Sequence, residues 1–339
     1  MSRVAICLLL LAACAHGPTT TSAEPAREER VWPPPPARPM VRFLESFPRV
    51  DRAPPRAPFW RRLLGVIVGT EPESRGPAFL LERPFGVAAI HGGFVVADPD
   101  GRQVLKVASR EDQVTPLECP DHPWKMPLAV AAEHDGTVYV ADGAAGLVLR
   151  IAADGTCLAI GKGALERPSG LAFVAGRIYV VDPPRHQIVA FTPDGREVLR
   201  FGGRGEKSGE YNFPSGLGAG PDQTLLIIDA LNFRVVQCNK DGEVQGGFGQ
   251  AGDGSGAFGR PKGVATDAAG QIYVSDAQHD VVIVFSRLGR FLIAVGGSGA
   301  APGSLTLPAG IAIGDGFLYV ADSYNHRVQV FQLLDGEPP

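Results

Sequence analysis

The sequence predicts an all-β, six-bladed β-propeller, and three observations carry that prediction. A proline, a glycine two residues later, an apolar run and an apolar strand ending in aspartate recur six times, the glycine failing once. The aspartates Asp98, Asp142, Asp182, Asp229, Asp276 and Asp322 are separated by 44, 40, 47, 47 and 46 residues. A period of about 40–50 residues rich in short strands is that of propeller blades, not of a helical solenoid. The 43 glycines and 30 prolines among 339 residues supply the turns that such a fold consumes.

Each unit reads as four strands. The first opens at Pro84, Pro127, Pro168, Pro214, Pro261 or Pro308, with glycine two residues on except at Ala129. Six such strands crowd one axis, where only Gly and Ala allow backbones to approach. The second strand is the apolar run ending in aspartate, as in Tyr319-Val320-Ala321-Asp322. Six copies at one turn mark a carboxylate that accepts backbone N–H bonds, not six active sites. The third strand, clearest at 327–331, alternates apolar and polar residues, as one buried and one wet face require. Asp-Gly turns at 154–155, 194–195 and 241–242 lead into the fourth strands, clearest at 198–201 and 291–295.

The last unit has no fourth strand of its own, which would leave the ring open with a bare edge. Residues 62–69, Leu-Leu-Gly-Val-Ile-Val-Gly preceded by Arg62, stand before Pro84 much as 291–296 stand before Pro308. They are expected to complete blade six, pairing the two ends of the chain and making 59–339 one domain.

The first 58 residues are different. Residues 1–14 have Arg3, a short apolar run and Leu-Ala-Ala-Cys at 11–14, the outline of a secretory signal peptide. The final four residues resemble the lipobox of bacterial lipoproteins, which implies acylation of Cys14 and tethering to a membrane rather than spanning of it. Ala15 and His16 follow in place of an inner-membrane aspartate, so the resemblance implies the periplasmic face of the outer membrane. Residues 15–58 hold eleven prolines and read as an extended, disordered spacer, with docking of Trp32, Phe43 and Phe47 on the globular domain as the alternative.

The segment 201–216, with Phe-Gly-Gly-Arg-Gly and Phe-Pro-Ser-Gly, and the segment 319–328, Tyr-Val-Ala-Asp-Ser-Tyr-Asn-His-Arg-Val, resemble the NHL repeat. The likeness runs from 62 to 331. It departs in blade one, which lacks the Asn and Arg after its aspartate, and in blade two, which has Ala129 and a bare Gly143-Ala144-Ala145-Gly146 turn. The resemblance implies the propeller fold. NHL propellers include zinc-dependent amidating lyases and are similar to calcium-dependent lactonases, so an exported metal-dependent lyase or hydrolase, with its site at the axial channel, is the alternative function.

The residues themselves offer little catalytic chemistry. In the propeller, histidines stand at 91, 122, 134, 186, 279 and 326, and no spacing among them forms a zinc set. No metal and no cofactor is therefore expected. Among the first strands only Glu133 and Asp267 bring an acid near the channel, short of the base and charge stabiliser that a hydrolase needs. The string Gly202-Gly203-Arg204-Gly205 opens no helix and reads as a blade linker, not a phosphate loop. Residues 59–339 carry 24 basic and 31 acidic side chains, a formal charge of −7, which opposes nucleic-acid binding. Cys119, Cys157 and Cys238 are an odd set after processing. Free or buried thiols are the expectation, and a Cys119–Cys157 bridge the alternative.

What remains is a monomeric, non-enzymatic binding module. In a propeller the openings of the first strands and the turns between second and third strands share a face, which places Arg185, His186, Phe233, Lys262, His279, Tyr324 and His326 together as partner-binding candidates. Aromatic and basic side chains of this kind are favoured interface anchors. An envelope protein, peptide or polysaccharide is the expected partner.

Overall fold

The structure, a computed structural model, describes residues 30–48, 80–108 and 113–334. Its strands are numbered in chain order. Two lie in the N-terminal segment: β1 (Val31–Trp32) and β2 (Val41–Phe47). Blade one is β3 (Gly86–Ile90), β4 (Gly93–Asp98), β5 (Gln103–Ala108) and β6 (Gln113–Pro116). Blade two is β7 (Pro127–Ala132), β8 (Val138–Asp142), β9 (Leu147–Ile151) and β10 (Cys157–Ile160), and blade three is β11 (Gly170–Val174), β12 (Arg177–Asp182), β13 (Gln187–Phe191) and β14 (Glu197–Gly202). Blade four comprises β15 (Pro214–Ala219), β16 (Leu225–Asp229), β17 (Arg234–Cys238) and β18 (Val244–Phe248). Blade five comprises β19 (Pro261–Thr266), β20 (Ile272–Asp276), β21 (Val281–Phe285) and β22 (Phe291–Gly296). Blade six has β23 (Pro308–Gly314), β24 (Phe317–Asp322) and β25 (Arg327–Leu333). All neighbouring strands within a blade are antiparallel.

The ring is closed by the N-terminal segment, through β2. β2 pairs with β25, Val41 opposite Leu333 and Phe47 opposite Val328, and β1 adds a fifth strand outside it. The spacer reading of 15–58 is thus corrected for residues 30–48, and the expected closing stretch 62–69 lies outside the described residues. Burial explains the docking. Met40 and Val41 enter the core between blades five and six, while Trp32 and Phe43 pack edge-on against Phe331 at centroid distances of 5.7 and 5.8 Å. Phe47 reaches Phe94 of blade one at 5.8 Å, so the same strand spans the seam between the last blade and the first.

The hydrophobic core is divided among the blade interfaces. Six clusters of buried residues each join two adjacent blades, as where Leu226, Ile228 and Val235 of blade four meet Val264, Ile272 and Val274 of blade five. The first strands β3, β7, β11, β15, β19 and β23 pack consecutively around the axis. There the glycine of Pro-x-Gly faces the middle residue of the next blade. A Cβ on Gly216 would lie 2.3 Å from the Lys262 carbonyl oxygen, and one on Gly310 would lie 2.5 Å from that of Phe85. The spacing of the ring therefore dictates glycine at these positions.

The repeat aspartates are buried and accept backbone N–H bonds, as their repetition predicts. Asp98 takes the amides of Glu82 and Arg83 at 2.7 and 2.9 Å, and Asp276 those of Gly259 and Arg260 at 2.7 and 2.9 Å. Each carboxylate thus fixes the loop leading into its own blade. The blade linkers are anchored too: Tyr211, Phe258 and Leu305, all fully buried, form bridges to Arg204, Ala251 and Ser298. Cys119 and Cys157 form a disulfide, correcting the expectation of free thiols for this pair. It ties the loop after blade one to the outer strand of blade two, while Cys238 is a free, buried thiol.

Candidate functional site

The face that carries the repeat aspartates is built from three positions per blade: the residue before the repeat proline, the middle residue of Pro-x-Gly, and the turn after the aspartate. In that turn the third residue after the aspartate usually reaches back to it. Asn232 and Asn325 do so through Nδ2, each at 2.8 Å. Arg185 and His279 occupy the same slot. Arg185 donates to Asp182 at 3.0 Å and to the Ala164 carbonyl at 2.7 Å; His279 lies 3.4 Å from Asp276 and 3.3 Å from Asp253. Both therefore hold turns in place.

The fourth residue after the aspartate adopts the left-handed conformation, with φ near +55° at His186, Phe233, Asp280 and His326. Its side chain leans on the loop entering the next blade. His186 Nδ1 accepts the Phe213 amide at 3.1 Å, Asp280 accepts the Leu307 amide at 2.8 Å, and His326 Nδ1 contacts the Glu82 carbonyl of blade one. Phe233, between blades four and five, carries no polar atom with which to do this. A cleft of about 440 Å³ opens beside it, spanning blades three to five.

Three elements shape that cleft. Phe213 is held at φ +50°, an uncommon conformation for a residue with a side chain, and its amide is fixed by His186. The phenyl ring packs edge-on against the imidazole at 4.6 Å and remains 41% exposed. Leu231, 53% exposed, and Phe233 supply the other apolar wall. The third element is cationic: Arg167 and Arg260 stand immediately before the repeat prolines of blades three and five, and Lys262 is the middle residue of blade five. Among the described residues none of the three has a carboxylate partner, and no carboxylate lines the cleft. Arg83, at the same position in blade one, is by contrast paired with Asp100 at 2.8 Å. Burial, and behind it the neighbouring Arg260 guanidinium, push the Lys262 ammonium down to about 8.

Of the seven residues predicted for this face, the cleft brings together Phe233 and Lys262. His186 lies beneath it, supporting Phe213. Arg185 and His279 are committed to aspartates, His326 joins blade six to blade one, and Tyr324, 57% exposed, lies on blade six outside the cleft lining. Phe213, Leu231, Arg167 and Arg260 were not anticipated. For three of them the signal was positional: stacking the six repeats in register shows Arg167, Phe213 and Arg260 before successive prolines. Cys14 lies outside the described residues.

A metal fits this face poorly. The middle residues of Pro-x-Gly at the mouth of the ring are Phe85, Leu128, Ser169, Ser215, Lys262 and Ala309, whose one charge is positive. Among the described residues no three His, Cys, Asp or Glu side chains converge. At the other ends of the first strands, Glu133 and Asp267 accept hydrogen bonds from Tyr139 at 2.5 Å and Tyr273 at 3.1 Å. Burial raises both phenols, which keeps them neutral donors to these acids.

The NHL repeat matches residues 305–331, the segment that forms most of blade six. No curated protein sequence matches the chain significantly. Solved structures share its fold at low identity. Virginiamycin B lyase from Staphylococcus aureus is 14% identical, with 76% of this chain and 98% of that one covered and a TM-score of 0.56. A gluconolactonase from Xanthomonas campestris is 19% identical, covering 75% and 87%, at a TM-score of 0.60. An auxiliary nutrient binding protein from Bacteroides ovatus is 15% identical, covering 77% and 72%, at 0.59. The chain is thus a six-bladed propeller with one segment matching the NHL repeat, and the solved structures that share its fold include a lyase, a gluconolactonase and a nutrient-binding protein.

Proposed function

We propose that the chain is a non-enzymatic binding module of the cell envelope, held to the outer membrane by a lipid on Cys14, whose partner docks on the aspartate-bearing face over blades three to five. One observation carries this reading: a single cleft there joins exposed apolar side chains to cations that nothing in the described protein neutralises. Desolvated aromatic and cationic groups of this kind anchor interfaces. The disulfide between Cys119 and Cys157 agrees with an exported protein, because such bonds persist in oxidising compartments. The lyase and lactonase relatives share the fold, and fold alone does not transfer chemistry.

The test compares binding of solubilised envelope protein to the immobilised full-length protein and to two variants. Phe213→Asp with Leu231→Asp alters the cleft, and Leu288→Asp alters an 80% exposed leucine in the turn between third and fourth strands, at the opposite face. The reading predicts a discrete bound species lost at least tenfold in the first variant and retained in the second. Equal retention by both, or hydrolysis of lactones restored by added calcium or zinc, would contradict it.

A further inference from the structure

We propose that the cleft over blades three to five receives the free C-terminal carboxylate of a peptide whose last residue is large and apolar. The inference deepens the binding-module reading above and rests on it. Arg260 and Lys262 flank the first residue of β19, Arg167 lines the same cleft from blade three, and none has an acidic side-chain partner among the described residues. Like charges gathered without a counter-charge repel one another, and an anion seated among them relieves that repulsion while accepting charge-assisted hydrogen bonds.

The rest of the lining decides which anion. Phe213, Leu231 and Phe233 offer an apolar wall directly beside the cations, the surroundings of a terminal carboxylate and its own side chain. The lining has no Asp, Glu, Asn or Gln, the side chains with which a polysaccharide's hydroxyls would pair, and offers only the serines at 169 and 215 as uncharged side-chain hydrogen-bonding groups. The Ser215 hydroxyl is itself buried without a partner in the described protein. A long polyanion is opposed by the net negative charge of the propeller. At about 440 Å³ and open to solvent, the cleft suits one or two residues rather than a long acyl chain.

Titration calorimetry on the full-length protein in detergent tests this with acetylated tripeptides ending in Phe, Leu or Ala. Each is used as free acid and as C-terminal amide, with inorganic phosphate and dodecanoate as further probes. The free acids ending in Phe or Leu should bind at least tenfold more tightly than their amides and than the Ala peptide. Lys262→Met should remove at least tenfold of that affinity with the fold intact by circular dichroism. Equal binding of acid and amide, no binding of any peptide acid, or tighter binding of phosphate or dodecanoate would each overturn the proposal. If the envelope partner is lost on changing Phe213 and Leu231 but unaffected by Lys262→Met, the carboxylate assignment falls while the docking face stands. If it is insensitive to all three, both fall.

Discussion

The residue before each repeat proline and the residue after it decide what this face can do. The aspartates are alike in all six units because each performs the same task, accepting one or two backbone amides of the loop that enters its blade. Removing one would orphan buried donors, as at Asp322, which also takes Asn325, Arg327 and Gln329. That role was legible from repetition alone. Arg167, Phe213 and Arg260 were not, because only the closed ring brings the pre-proline residues of three blades to one cleft. Lys262 gives the residue scale its prediction. Its folded pKa lies below that of an unfolded lysine, pushed down by burial and then by Arg260, the charged group that faces it. The unfolded chain therefore binds more protons between about pH 8 and 10.5, so this lysine destabilises the fold below about pH 8 and ceases to do so above about pH 10.5. Thermal melts of Lys262→Met should lie above those of the wild type at pH 7, with the gap closing as pH rises through that window. A gap that is constant with pH would show that the lysine is not strained.

Among the elements, the closing strand shows where sequence reasoning stopped. The need for a strand from the N-terminal side followed from the unpaired edge of β25, and it is met. The choice of 62–69 rested on its likeness to β22, whereas β2 is hidden among prolines and broken by a register shift between Phe43 and Glu45. Its apolar side chains nonetheless fill space that blade six cannot fill itself. Full burial of a large aliphatic side chain is worth about 1.5–3 kcal/mol, and Met40 and Val41 are both buried. Deleting residues 1–29 should leave the melting temperature of the soluble protein within about 2 °C of its starting value. Deleting 1–48 should lower it by more than about 10 °C, since several kcal/mol are lost. Equal melting of the two truncations, followed by circular dichroism, would remove β2 from the account.

For the molecule as a whole, the ring supplies a rigid, closed frame with two unlike faces. One presents the turns between second and third strands, with exposed Leu231, beside the openings of the first strands, with the unneutralised cations and exposed Phe213. The opposite face presents the tight turns of the other hairpins and places Glu133 and Asp267 against tyrosines. The architecture could be read from six spaced aspartates, since spacing reports blade number. The partner could not, because it depends on side chains that differ between blades at positions where the repeat imposes nothing. The measurement that most directly tests the docking face is photo-crosslinking in intact cells, with p-benzoylphenylalanine placed at position 231 or, as control, at position 288. Both sites are exposed leucines on opposite faces. A discrete covalent adduct from position 231 and none from 288 is the predicted result. An adduct from 288 alone, or from neither, would contradict the assignment of the aspartate-bearing face as the place where a partner binds.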